Sequence, residues 1–255
     1  MAFTKFFSNE ALRIASDIRY RILGTYVDYY GVDIINPEDA LDIDESFVKL
    51  AYKPNQWTIL HSFVQNYLIA EWHYAYRKLD DDFAPYALSI LAQHSIYPTS
   101  FSNENRDYDW FLFEQLKIVS RRVAHEVFCV LFEDRELMRS FSLFISRFIE
   151  SLCQSDYPAF LEKDGQIKRY SNWNVWLKEA LFNRENGRCA ICKCDLTGVI
   201  ALGKKIHIDH IIPISSGGTN DPTNLQILCD DCNLKKGNRN TETGVLRQVL
   251  WDIDG

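Results

Sequence analysis

Five of the chain's seven cysteines fall within 44 residues, as C-A-I-C-K-C from Cys189 and C-D-D-C from Cys229. Two Cys-x-x-Cys knuckles, Cys189/Cys192 and Cys229/Cys232, stand 36 residues apart and deliver four thiolates from two loops. That is the ligand set of a tetrahedral zinc with no open position, which staples the chain and leaves no room for a reacting water. The competing reading is a set of independent free thiols. An odd cysteine count argues against a disulfide framework, as does a start interrupted by Lys5 and Glu10, which makes no secretory h-region. Cys194 is either a spare thiol or a substitute for Cys192. Cys129 and Cys153 sit in apolar helical sequence and are expected to be buried, unpaired thiols.

Between the knuckles run I-H-I-D-H-I-I-P at 206–213 and G-G-T-N-D-P-T-N-L-Q at 217–226, and the second knuckle continues as C-N-L-K-K-G at 232–237. With the cysteines, these elements resemble the HNH endonuclease superfamily, whose ββα-metal finger shows Asp-His, a central Asn and a final His or Asn inside a zinc-stapled frame. The resemblance runs from Trp173 to Asn240, about a quarter of the chain. It implies a metal-dependent endonuclease that hydrolyses phosphodiester bonds in DNA. By the same resemblance Asp209 and Asn233 hold the catalytic metal, and Asn224 fixes the loop that orients His210.

Phosphodiester hydrolysis needs a base for water, a cation to neutralise the phosphate and a frame that holds both. His210 titrates near neutrality and suits the base. Asp209 supplies an anionic oxygen and Asn233, placed by Cys232 and so by the zinc, a neutral one. Oxygen ligands favour Mg²⁺ or Mn²⁺ over zinc or nickel, and Asn233 stands where many relatives carry histidine. His207, two residues before Asp209, faces the same way on a strand. It is either an outer metal ligand, a phosphate contact or a local hydrogen-bonding residue. Lys235, Lys236 and Arg239 follow Asn233 on a short helix and are expected to hold flanking phosphates, with Lys204 and Lys205 a weaker version of the same idea. The alternative for the segment is a non-catalytic zinc-stapled module that only grips nucleic acid.

These residues need elements to position them. The 255 residues are 47% hydrophobic and 14% aromatic, ample for a packed core and too apolar for a disordered chain. Apolar residues recur at three and four from Asn9 (Leu12, Ile14, Ala15, Ile18, Ile22), and the period returns from Asn55 to Lys78, after Asp82, from Asp107 to Phe132 and from Arg135 to Gln154. From Ser155 to Ser171 it is lost around Pro158, Asp164 and Gly165. A short helix is expected from Asn172 to Arg184, a β-like run at Ile206–Ile214, a helix from Asp230 and an amphipathic one from Gly244 to Ile253. The fold class is thus α+β: a mainly α-helical N-terminal domain (1–155), a linker (156–171), a small zinc-stapled ββα-metal domain (172–240) and a C-terminal helix (241–255).

Charge divides the chain in the same place. The net charge is −7, yet residues 181–240 hold 8 basic and 6 acidic side chains, leaving 20 and 29 for the rest. DNA should therefore meet the C-terminal part, and the acidic helical domain should repel it. That domain shows no recognised chemistry, since His61, His73, His94 and His125 lack Glu-x-x-His spacing. The acidic runs Glu38–Glu45 and Asp80–Asp82 are expected to be caps and solvated turns. A regulatory role follows, through a protein partner or self-association, and an effector of a restriction or anti-phage defence system is compatible with the layout by analogy. The longest charge-free stretches, after Lys53 and after Asp82, are broken by Asn, Gln, His and Pro, so neither resembles a membrane-spanning helix and a cytoplasmic protein is expected.

Overall fold

The computed structural model describes residues 7–24, 36–98, 105–198, 206–238 and 240–244. They belong to two compact units, one of residues 1–42 and 60–131, the other of residues 43–59 and 132–255. In the first, α1 (Asn9–Ile22) begins where Ser8 Oγ accepts from the amide of Ala11 at 3.2 Å, and it buries Ala11, Ile14, Ala15 and Ile18. Most of α3 (Ile59–Lys78) joins it, with α4 (Phe83–Gln93) and α5 (Asn105–Leu131), against which both α1 and α4 pack. Phe63, Tyr67, Trp72 and Phe83 fill the core. α3 starts four residues later than expected, because Asn55 turns its Oδ1 onto the amide of Trp57 (2.9 Å) and holds a local turn instead. Neither remote cysteine is buried as expected: Cys129 is half-buried beside His125, and Cys153 is exposed.

The second unit contains α2 (Glu45–Tyr52), which starts on the last residue of the acidic run Glu38–Glu45, expected to supply caps and solvated turns. Asp44 caps it by accepting from the amide of Phe47 at 3.0 Å, and Phe47, Val48 and Ala51 are buried. Next come α6 (Arg135–Glu150), the antiparallel hairpin β1 (Leu161–Lys163) and β2 (Gln166–Ile167), α7 (Val175–Arg184), the antiparallel pair β3 (His207–His210) and β4 (Leu225–Leu228), and α8 (Asp230–Lys236). The chain is thus a mainly α-helical N-terminal region followed by a small ββα region. The register sets Asp209 opposite Gln226 and His210 opposite Leu225. Leu177 and Leu181 of α7 pack with Ala190, Leu196, Leu225 and Ile227 into the apolar core beside the cysteines.

The expected boundary near Ser155 falls inside this second unit, because α6 is built into the ββα region. Gly217 (φ +70°) lies so close to α6 that a Cβ would come within 2.7 Å of the Ser146 carbonyl, and a Cβ on Gly218 would overlap the Ile212 carbonyl. The start of α6 is tied in by charge. Arg135 pairs with Glu185, whose Oε1 also accepts from Arg184 Nε and Nη2 at 3.0 and 2.8 Å, and all three side chains are buried. Arg184 in turn donates to the Leu225 carbonyl on β4. Glu185→Ala strands two buried guanidinium groups without a counter-ion and should cost the unit about 3–5 kcal/mol. Urea unfolding followed through this unit's tryptophans checks it; a loss under about 1 kcal/mol would mean that water reaches the triad.

Candidate metal centre and active site

The Sγ atoms of Cys189, Cys192, Cys229 and Cys232 all lie within 4.8 Å of one another, and Cys192 and Cys229 are 3.7 Å apart. A disulfide needs about 2.05 Å, whereas sulfurs about 2.3 Å from a tetrahedral zinc stand roughly 3.8 Å apart. The donor set and its spacing therefore fit zinc. Local backbone bonds make the clustering possible: Lys193 takes a left-handed φ of 61° and donates to the Cys189 carbonyl at 3.1 Å, and Ala190 donates to Ile227 on β4 at 2.9 Å. Cys229 is the N-cap of α8, so both members of its knuckle move with that helix. Cys194 stands outside the four-sulfur group and is exposed.

A cleft of about 140 Å³ opens beside β3, lined by Gln166, Arg169, Asp209, His210, Gly237 and Asn238 among others. His210 is 3% exposed, and burial, assisted by the charges of Arg169 and Lys236, pushes its pKa down to about 4. The imidazole is thus neutral near pH 7. Its tautomer follows from Asn220. The Nδ2 of Asn220 donates to two carbonyls, Tyr52 at 2.8 Å and Lys168 at 2.9 Å, while its Oδ1 accepts from the amide of Tyr170 at 3.1 Å. The carboxamide can take only that orientation. Its Oδ1 lies 3.0 Å from His210 Nε2, so Nε2 carries the proton and Nδ1 keeps the lone pair. Asn220 also answers the open end of α2, its amide donating to Ala51 at 2.8 Å.

Asn224 closes the loop after β3. Its Oδ1 accepts from the amide of Ile212 (2.8 Å), and its Nδ2 donates to the carbonyls of Ile212 (3.0 Å) and Thr219 (2.8 Å). The atom that touches His210 belongs to Asn220, which sequence reasoning passed over. A polar Asn-Asp-Pro-Thr-Asn run was the available signal, for Asp221 caps the Pro222–Asn224 turn from inside the protein.

Asp209 is engaged through one of its two oxygens. Its Oδ2 accepts from Gln226 Nε2 at 3.1 Å and pairs with Lys236 Nζ at 2.9 Å, and that ammonium also donates to the His210 carbonyl at 2.7 Å. Lys236 is 1% exposed, so the expected row of phosphate-holding cations does not include it in this structure. Lys235 is exposed, and Arg239, Lys204 and Lys205 lie outside the described residues, as does most of the segment expected to form a C-terminal helix. Asn233 is half-buried on α8, which packs on β3, and among the described residues no hydrogen bond joins its side chain to Asp209. His207 pairs with Asp230 at the start of α8, the local hydrogen-bonding role of the alternatives.

For a hard cation, the fit rests on Asp209 Oδ1, which carries no hydrogen bond among the described residues, in a cleft open to solvent; the carboxamide of Asn233, the second oxygen that the sequence offers, is not among the groups that line that cleft. These are oxygen donors of the kind Mg²⁺ and Mn²⁺ prefer. Among the described residues no helix is long and apolar enough to cross a membrane. No curated protein and no solved structure matches the chain. Residues 189–239, about a fifth of the chain, match the HNH endonuclease family, and with its cysteine cluster and ββα region the C-terminal part is an HNH-like domain consistent with that superfamily.

Proposed function

We propose that the chain is a metal-dependent endonuclease that hydrolyses phosphodiester bonds in DNA, with its four cysteines holding a structural zinc. The observation that carries this reading is the neutral His210, its tautomer set so that Nδ1 is the basic nitrogen, in one cleft with Asp209. Nδ1 takes a proton from water, the water oxygen attacks phosphorus, and the P–O bond to the leaving nucleoside breaks with its electron pair on the nucleoside oxygen, which takes a proton from solvent. A bound Mg²⁺ or Mn²⁺ would neutralise the charge that develops on the phosphate. Asp209 and Asn233 would hold that ion, Asn224 braces the loop behind His210, and Lys235 with Arg239 would contact flanking phosphates. Plasmid DNA incubated with Mg²⁺, Mn²⁺ or EDTA tests the reading, which predicts nicking with either metal and none with chelator.

The Lys236–Asp209 ion pair favours a second reading, because an internal ammonium already neutralises the carboxylate. In that reading the domain grips nucleic acid without cutting it. Asp209→Asn separates the two. Asparagine keeps an oxygen to which Lys236 can donate, though not its counter-charge, and it removes the anionic ligand. Cleavage at limiting Mg²⁺ should fall at least about 100-fold with zinc content unchanged. A variant that cuts as well as the parent would remove Asp209 from the metal site. The acidic N-terminal region would act as the regulator, through a protein partner or a second copy, and a restriction or anti-phage defence effector is the setting we favour.

A further inference from the structure

One wall of the cleft comes from residues outside the 189–239 segment. Gln166 on β2 and Arg169 just beyond it line the cleft together with Asp209 and His210. Two cations are adjacent here, and they have different fates. Lys168 turns its ammonium back onto the hairpin, donating to the Pro158 and Ala159 carbonyls at 2.8 and 3.3 Å. Arg169 is exposed, and among the described residues no hydrogen bond or ion pair holds its guanidinium.

The backbone that presents Arg169 is nonetheless fixed. The Lys168 amide donates to the Phe160 carbonyl at 2.8 Å, the Lys168 carbonyl accepts from Asn220 Nδ2, and the Tyr170 amide donates to Asn220 Oδ1. That same Oδ1 holds His210 Nε2, and Asn220 is fully buried. One carboxamide therefore sets the imidazole and pins the chain on both sides of Arg169. An unpaired arginine on a fixed backbone, facing a cleft that holds a neutral base and a carboxylate already paired with lysine, is a site for an anion. A guanidinium fork matches two oxygens of a phosphate group in a way that an ammonium does not.

We propose that Arg169 grips two non-bridging oxygens of the scissile phosphodiester in the cleft beside His210, and so stabilises the added negative charge of the pentacoordinate transition state. The proposal rests on the nuclease reading above and adds to it a residue that the ββα region itself does not supply. Removal of one donor to a developing charge commonly costs about 10²–10³ in rate.

The test uses the full chain loaded with zinc. Arg169→Ala, Arg169→Lys and His210→Ala are compared with the parent in plasmid cleavage with Mg²⁺ and Mn²⁺, and in binding of a fluorescent 20-base-pair duplex in Ca²⁺ over a range of salt. Arg169→Ala should lower kcat roughly 100-fold or more while zinc content and circular dichroism stay at parental values. Arg169→Lys should recover a minor part, since it keeps the charge and loses the fork. If the parent cuts and His210→Ala does not, but Arg169→Ala cuts within about threefold of the parent, the Arg169 assignment fails and the nuclease reading stands. If the parent cuts no nucleic acid, the nuclease reading fails, and duplex binding decides what Arg169 does. Unchanged affinity and salt slope in Arg169→Ala would then overturn the phosphate contact, whereas weaker binding with a slope reduced by about one would retain it.

Discussion

Cys232→Ser should release the zinc that the four cysteines would hold and should unfold the ββα region with it. In parent protein, metal analysis should find about one zinc per chain; in the variant it should find almost none, because three thiolates and a hydroxyl make a far weaker site. Structural zinc in comparable small sites is worth about 10–16 kcal/mol. The apolar core beside the cysteines, five leucines, Ile227 and Ala190 with half-buried aromatics such as Trp176 and Phe182 against them, is too small to replace that. Cys232 is the informative position, since it anchors α8, and α8 carries Lys236, whose ammonium joins the His210 carbonyl to Asp209. Hydrogen exchange should show lost protection in β3, β4 and α8, while α1, α4 and α5 keep theirs. Full zinc occupancy in the variant would remove Cys232 from the metal centre.

The parts of this site that were legible in the sequence are those whose geometry is local. A Cys-x-x-Cys pair returns on itself within four residues, and Asp209 and His210 are consecutive at the end of one strand, so each pair is close in space whatever the rest of the fold does. Helical periodicity likewise marked α5 and α6 within a few residues of their observed ends. Lys236 could have been placed from sequence as well. It is four residues after Cys232 on a helix, so it shares the inward face of a zinc ligand, while Lys235 turns out to solvent. Grouping the lysines by charge alone hid that difference.

Asn220 and Arg169 were not legible for another reason. Their roles come from tertiary contacts across long separations, His210 to Asn220 within one loop but Asn220 to Lys168 and to Tyr52 over 52 and 168 residues. A break in helical period around Gly165 signalled only that no helix continues there, and the two short strands of the hairpin are too brief to show alternation. The same holds for α2, whose C-terminal carbonyls are answered by Asn220. The HNH-like segment therefore does not complete its own surroundings; it takes a brace from residues 43–59 and a cleft wall from the hairpin.

His210→Ala should abolish cleavage, by about 10²–10⁴ in kcat for the loss of a general base, and should leave zinc content and fold intact. The fold survives because Asn220 Oδ1 keeps the Tyr170 amide when the imidazole is gone, so no polar atom is newly stranded in the interior. The pH dependence is a sharper test of the site than the loss itself. Burial holds His210 near a pKa of about 4, well below the usual 6.5, so the base is already deprotonated throughout the neutral range. Parental cleavage should consequently hold level from pH 8 down to about 5.5 and show no acid limb at the ordinary histidine pKa. The same shift enters stability with a definite sign. Depressed in the folded chain, His210 contributes stability that is present above pH 6.5 and is lost as pH falls towards 4, by about 3 kcal/mol in all. The stability gap between parent and His210→Ala should therefore narrow on acidification over that window, measured by urea unfolding at fixed ionic strength. A cleavage limb centred near pH 6.5, with no such narrowing, would mean that the imidazole is solvated in the working enzyme and that Asn220 does not set its tautomer.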